Sequence, residues 1–473
     1  MEITELKPKE VFYWFGELSK IPRESGNEKG VADFLENFAK ERNFEVYRDE
    51  NNNVIIKKEA TQGYEDRPTI ALQGHSDMVC VKDDDIDHDF EKDPIELVVD
   101  GNYLKANGTT LGADDGIAVA YGLAILDSKE LKHPKLELVV TTEEETSMGG
   151  VSTIDTSEIK ADYLLNIDSE EEGEFTVGCA GGVEVISEFD KEFEDASGEF
   201  VEIKISGLTG GHSGMEIDKY RKNGIKEMAR MVYNLRDFRL SVFEGGSKKN
   251  AIATNAHAIV EVEDSQKAVE KLENLKKQIL HEAKDTDPNA KITVEKVEKS
   301  GKVLTKELSK KIVGFVYTIP NGLYNKDLSL NTLTSSSNVG VLTDSEDKIS
   351  VNSFVRSSLQ SEKENYRDQI AAIAESFGAK VKFEHDYPGW EKEENPIIDF
   401  CKELYEKEIG RDAIVTTTHG GLECGYLKKQ LPNTVMISFG PNLHDVHTSR
   451  ENAEIDSIER IYKYLVKLLE EIK

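Results

Sequence analysis

Short apolar runs that end abruptly in acids or histidines recur along this 473-residue chain, and they constrain its fold more than any other feature. PTIALQGHSDMV, LELVVTTEEE and YLLNIDSEEE each read as a buried strand that leaves the core at its carboxyl end. NTVMISFGPNLHDVH repeats the form near the C-terminus, with His444 to His447 at its end. Between these runs, LGADDGIAVAYGLAIL reads as a loop entering a buried helix. Val31, Phe34, Leu35 and Phe38 share one helical face, and FEVYRDENNNVIIKKE reads as a hairpin turning at Asn51 to Asn53. Strands alternating with helices predict an α/β domain.

From about Val183 the texture changes. FVEIKISG, AHAIVEVE and KITVEKV alternate at period two, with helical patterns over 214–235 and 265–284. A similar order returns: a helix near 305–318, strands through SLNTLTSSSNVGVL and KISVNSFVRSS, a helix near 361–377 and the strand AKVKFEHD. This predicts an inserted α+β domain, with the same order of elements run through twice. Pro388 to Trp390 and Asn395-Pro396 mark its exit. The expected division is a discontinuous catalytic domain, 1–182 and 393–473, interrupted by a lid at 183–392. Ile458, Ile461, Leu465, Leu468, Leu469 and Ile472 line one face of a closing amphipathic helix.

Charge narrows the partners. Lysine plus arginine is 59 against 91 acids, a formal net charge of −32. That field repels phosphate backbones and anionic lipid, so neither nucleic acid nor membrane is expected as a partner. Four scattered cysteines, none in a CxxC pair, argue against a disulfide framework and thiolate zinc sites. The opening MEITELKPKEVFYWFGEL has neither a basic n-region nor a long apolar run, so a cytoplasmic location is expected.

In open α/β sheets, ligands bind beyond the carboxyl ends of the strands. His75-Ser76-Asp77, Glu143-Glu144-Glu145, Asp168 and His444 to His447 stand at such ends, and Asp114-Asp115 lie in a glycine-bearing loop before a helix. Each has an ordinary reading alone: a satisfied polar histidine, solvated carboxylates, a turn at GADDG. Together they are five segments aiming acids and imidazoles at one rim. Crowded carboxylates need a cation or protons to coexist. Two histidines and three or more carboxylates, with no cysteine, make a site of the sort that holds zinc, manganese or cobalt.

QGHSDMV, TLGADDGIAVA, TTEEETSMGG, NIDSEEEGEFTVGCAGG, TGGHSGMEI and GPNLHDVHTSRE, in this order, resemble the aminoacyl-histidine dipeptidases. These belong to the co-catalytic dizinc peptidases that include carboxypeptidase G and aminoacylase. The resemblance covers nearly the whole chain. It implies a mixed-sheet catalytic domain of the phosphorylase/hydrolase-like kind, with His75 and Asp168 on one metal, Glu145 and His447 on the other, and Asp114 bridging through a cis peptide to Asp115. It further implies that Asp77 orients His75 and that Glu144 is the general base, with a register in the glutamate triplet that can slip by one. A water shared by the two ions would attack the peptide carbonyl as Glu144 takes its proton.

In the lid, His212 resembles the histidine that reaches the scissile carbonyl; as plain chemistry it equally reads as a turn histidine capping a helix. Asn250 resembles a substrate-contacting asparagine. Arg356 suits the C-terminal carboxylate of a dipeptide, or one end of a strand-surface ion pair. Glu423, in HGGLECG, reads either as the holder of the substrate amine or as a structural carboxylate. Cys179 and Cys424 read as packing residues. Between His444 and His447, the HTSRE block favours His447.

The expected activity is hydrolysis of unblocked dipeptides, Xaa-His such as β-Ala-His being implied by the resemblance. The rivals are a broader aminopeptidase, an N-acyl-amino-acid amidohydrolase, and a peptide-binding protein on a decayed hydrolase. A doubled lid would let a monomer do what relatives with smaller lids do as a homodimer; both states stay open.

Overall fold

The computed structural model describes residues 3–473. Met1 and Glu2, the first residues of the segment read for a targeting signal, lie outside the described residues. The chain divides into two compact units. One runs to Gly178 and resumes over Lys392–Thr417 and Leu422–Lys473; the other is Cys179–Glu391 with Thr418–Gly421. The short return segment joins the second unit because the Ala180 amide bonds both the Thr418 and the Gly420 carbonyls.

The first unit is built on an eight-stranded mixed sheet. Its centre is four parallel strands in the order Leu136–Thr141, Ile70–His75, Tyr163–Asn166 and Val435–Ser438. Ile70–His75 and Leu136–Thr141 are buried at every residue, as expected of parallel strands covered on both faces. The hairpin Glu45–Arg48 with Val54–Lys58 extends one edge. Helix Ala113–Asp127 is buried along its whole apolar length, and Ile455–Glu471 docks the face read from its sequence. Phe175, Tyr405, Phe439 and Tyr464 lock the centre, with ring centroids 5.4 to 5.8 Å apart.

The fourth apolar run behaves differently from the expectation. Its strand stops at Ser438, well short of His444. Gly440 then presses on the Ser169 carbonyl so closely that a Cβ would lie 1.8 Å from that oxygen. The chain continues into a separate four-stranded sheet ordered Leu443–His444, Asn452–Glu454, Tyr103–Ala106 and Leu97–Asp100. His447 therefore sits in a hairpin loop of this small sheet, at φ 61°, and not at the end of a core strand.

The second unit is a nine-stranded antiparallel sheet with a doubled plan. One half runs strand Glu199–Ser206, helix Gly224–Leu235, strands Arg239–Gly245 and Ala256–Val262, helix Ser265–Glu282, strand Lys291–Val297. The other runs strand Gly181–Asp190, helix Lys306–Thr318, strands Thr332–Asp344 and Lys348–Ser357, helix Gln360–Ser376, strand Lys380–Tyr387, and the ninth strand, Gly322–Asp327, pairs with Thr332–Asp344 outside this plan. In space each half is ordered fourth, first, third, second, and the two second strands meet at Gly245 and Leu342. The first half is inserted after the opening strand of the second, and the short pair Phe193–Asp195 with Lys302–Leu304 closes the insertion. The helix expected from 214 begins only at Gly224, where Asn223 accepts from the Ile225 and Lys226 amides. Among the described residues, no helix is long and apolar enough to cross a membrane.

Candidate active site

Parallel register explains why distant residues meet in the first unit. His75 pairs level with Thr141, and Gln73 with Asn166, so Glu143 to Glu145, Asp77 and Asp168 leave the sheet at one rim. Asp114 reaches the same place from the start of the buried helix, and its peptide bond to Asp115 is cis. Its two carboxylate oxygens face two different imidazoles. Oδ1 lies 3.2 Å from His75 Nε2, and Oδ2 lies 3.0 Å from His447 Nε2. Each imidazole has a further carboxylate: Asp168 Oδ1 at 3.8 Å from His75 Nε2, and Glu145 Oε2 at 2.9 Å from His447 Nε2. Two overlapping groups have ligand atoms within 4.8 Å of one another, His75 with Asp114 and Glu145, and His75 with Asp115 and Asp168. Asp115 was not read as a ligand; its Oδ2 accepts from the His75 amide at 3.3 Å. His444 points elsewhere, 3.2 Å from Glu454 Oε1.

The electrostatics fit a cation here. Hydrogen bonds to Asp114 and Glu145 push His447 up to about 11, the effect of carboxylates crowded around one imidazole. Burial lifts Asp168 well above the usual carboxylate range, with Asp115 adding to it. Burial also raises Glu170 to about 7, helped by Asp114; this carboxylate was not singled out from the sequence. Glu145 Oε1 is buried without a hydrogen-bond partner among the described residues. Bare or proton-sharing carboxylates beside neutral-ligand imidazoles are the donor set that divalent ions of borderline hardness take.

Expected supports such as Asp77 are joined by others, Ser25 and Arg23, that the sequence did not single out. Asp77 lies 3.4 Å from His75 Nδ1 through Oδ1, while its two oxygens accept the Glu144 and Glu145 amides at 3.1 and 3.3 Å. Ser25 donates to Asp77 Oδ2 at 2.7 Å, and buried Arg23 ties down the Ser76, Asp77 and Gly112 carbonyls. Glu144 is raised to about 8 by burial, with His75 opposing and Glu423 and Glu145 adding to the rise. Glu451 closes the frame from below: its two oxygens accept the amides of Leu111, Gly112, Ala113 and Asp114. Glu451→Ala strips all four amides of their acceptor, so it should weaken divalent-ion affinity about 10–100-fold. Calorimetric titration of the chelator-treated variant checks this; unchanged affinity would make Glu451 a purely structural residue.

Glu423 belongs to the same unit and has no exposed surface. Gln73 Nε2 and Thr141 Oγ1 both donate to its Oε2 at 2.6 Å, and Oε1 has no partner among the described residues.

The second unit carries the other expected residues. His212 Nδ1 accepts the Gly214 and Met215 amides at 3.3 and 3.1 Å, which leaves the ring hydrogen on Nε2. Burial and then Arg356 lower His212 to about 4, so the ring is neutral at physiological pH. His212 and Asn250 line one cleft of about 300 Å³ with Gly211, Ser247, Lys248 and Ile252. Arg356 is buried, donates to Tyr387 Oη at 3.0 Å and stacks over Phe354. It makes no ion pair among the described residues.

Comparison with known proteins decides the family. The model of peptidase family M20/M25/M40 matches residues 71–471. The chain belongs to this family. Within it, the chain is 35% identical over 480 residues to the cytosol non-specific dipeptidase of Escherichia coli (strain K12), covering 100% of this chain and 99% of that protein. The crystal structure of aminoacylhistidine dipeptidase from Vibrio alginolyticus superposes with a TM-score of 0.93 at 35% identity, covering 100% of this chain and 98% of that one. A tripeptidase from Staphylococcus aureus subsp. aureus Mu50 shares the fold, with a TM-score of 0.59 at 16% identity over 99% of each chain. The family read from the motif blocks is thus the family found, and this M20 member is an enzyme of a peptidase family with a mixed α/β fold.

Proposed function

We propose that the chain hydrolyses unblocked dipeptides, Xaa-His among them, with two divalent ions, zinc in the first place. The observation that carries this reading is the carboxylate of Asp114, whose two oxygens face His75 and His447 separately. His75 and Asp168 would hold one ion, Glu145 and His447 the other, and Asp114 both. When bound, such a pair lowers the pKa of a shared water towards 7 and stabilises negative charge on a carbonyl oxygen.

The chain's own groups do the rest. Glu144 takes the water proton on its carboxylate and delivers it to the leaving amine. Asp77 fixes the His75 ring and, through the amides of Glu144 and Glu145, the start of the turn that carries the base. His212 offers Nε2–H to the carbonyl oxygen as charge builds there. Arg356 receives the terminal carboxylate as a bidentate partner, and Asn250 contacts the substrate beside His212. Of the two readings of Glu423, complete burial and two donors on one oxygen favour the structural one.

The doubled second unit supports action as a monomer, and the acidic, cysteine-poor composition together with the cytosol dipeptidase relative supports a cytoplasmic location. The test is a substrate panel: Ala-His, β-Ala-His, Ala-Ala, a tripeptide and N-acetylated amino acids, with zinc, manganese or cobalt. Free dipeptides should be the best substrates. Preference for an acylated amine would replace this reading with an amidohydrolase, and preference for the tripeptide with an aminopeptidase.

A further inference from the structure

The surroundings of Arg356 contain polar atoms that the fold leaves unused. Gly214 lies where three groups converge: a Cβ there would stand 2.7 Å from the His419 carbonyl oxygen, 3.1 Å from His212 Cε1 and 3.2 Å from Arg356 Nε. Only a glycine lets the backbone come this close to the guanidinium and to His419. Arg356 Nε, Ser213 Oγ and His419 Nδ1 are all buried, and none has a hydrogen-bond partner among the described residues. Their residues are 5%, 1% and 4% exposed. A buried polar atom left without a partner costs about 1–3 kcal/mol. Three together mark a place where the acceptor arrives with the ligand.

The positions are fixed by the second unit itself. Arg356 stands opposite Ser336 in the antiparallel strands, and Ser336 Oγ is 2.8 Å from His419 Nε2. Ala180 holds the backbone on both sides of His419. The Ser213 amide donates to the Asn250 carbonyl at 2.8 Å. Burial and then Arg356 hold His419 near 3, with the Leu333 carbonyl opposing, so the ring is neutral at physiological pH. Arg356 is then the one formal charge of the cluster, and Ser213 and His419 are neutral hydrogen-bonding groups beside it.

We propose that Ser213 and His419 are specificity-determining residues that complete the Arg356 carboxylate site, so that a peptide ending directly after the second residue is selected over one whose terminus is blocked. Ser336 is the positioning residue: its hydroxyl lies 2.8 Å from His419 Nε2, and in the tautomer this inference requires the hydroxyl donates and the ring hydrogen sits on Nδ1 for the ligand. The proposal rests on the reading of Arg356 given above.

The test uses the full-length, metal-loaded enzyme and two competitive inhibitors, a reduced-bond dipeptide mimic with a free carboxylate and its C-terminal carboxamide. In Ser213→Ala and His419→Gln the inhibition constant of the acid should rise about tenfold, and that of the carboxamide should stay within twofold; one hydrogen bond to a charged group accounts for that change. Because the Ser213 hydroxyl has no partner among the described residues, Ser213→Ala should keep or raise the melting temperature. Equal weakening of both inhibitors, or of neither, overturns the proposal, as does a fall in melting temperature that parallels the loss of binding. Arg356→Met separates the two levels. If it erases the acid preference while Ser213→Ala and His419→Gln do not, only the present inference fails. If it leaves the preference intact, the reading of Arg356 as the carboxylate partner fails with it.

Discussion

Glu144→Gln should bind two divalent ions as the parent does and lose about 10³–10⁴ in kcat, or roughly 4–5.5 kcal/mol of barrier. The amide is nearly isosteric and leaves the Glu144 and Glu145 backbone bonds to Asp77 in place. What it removes is a group able to accept a proton from water and return it to an amine. Metal analysis and steady-state kinetics on Ala-His read the two quantities separately. Near-normal kcat would remove Glu144 as the base and shift attention to Glu143 or Glu145, since the triplet Glu143-Glu144-Glu145 is where a one-residue slip in register would fall. The geometry speaks for Glu144. Glu145 Oε2 stands 2.9 Å from His447 Nε2, while Glu143 takes φ 54° and its carboxylate lies beside Ser147.

Asp114→Asn should be the most damaging change at the rim. One carboxylate faces both imidazoles, so its loss touches both halves of the site. The amide keeps one acceptor oxygen and turns a donor toward the other imidazole, where a cation would meet it unfavourably. We expect no more than one bound ion per chain and a loss of at least about 10³ in kcat/KM on dipeptides. Two ions held at parental affinity would show that Asp114 does not bridge.

These residues were legible in the sequence to different degrees, for physical reasons. His75, Glu143 to Glu145 and Asp168 could be found because parallel strands deliver their carboxyl ends to one edge, and each strand is a short, mostly apolar run with the residue of interest at its end or just beyond it. Arg356 was singled out because a guanidinium suits the C-terminal carboxylate of a dipeptide. The loop bearing His447 was harder. The small sheet behind it uses strands of two to four residues, too short to show period two. The run through NTVMISFGPNLHDVH therefore read as one strand, although Gly440 and Pro441 end it early.

Arg23, Ser25 and Glu170 carried no visible signal, and Glu451 showed only as the last residue of the HTSRE block, with no role attached. Their partners are backbone amides, carbonyls and carboxylates brought close only by folding. In a chain with 91 acids, a supporting carboxylate looks like any other. His419 was passed over for a related reason: HGGLECG drew attention to its glutamate, while the contact with Ser336 spans 83 residues. The helix expected from 214 was cut back to Gly224 because Tyr220 adopts φ 53° and Asn223 caps the helix, which a count of apolar spacing does not register.

The most direct test of the account is the number of ions that the chelator-treated chain takes up as hydrolysis of Ala-His returns. Titration with zinc, followed by calorimetry and by activity in the same samples, should give two equivalents per chain, with full activity only at the second. A single equivalent supporting full activity, or dipeptide hydrolysis that persists with no ion bound, would contradict it.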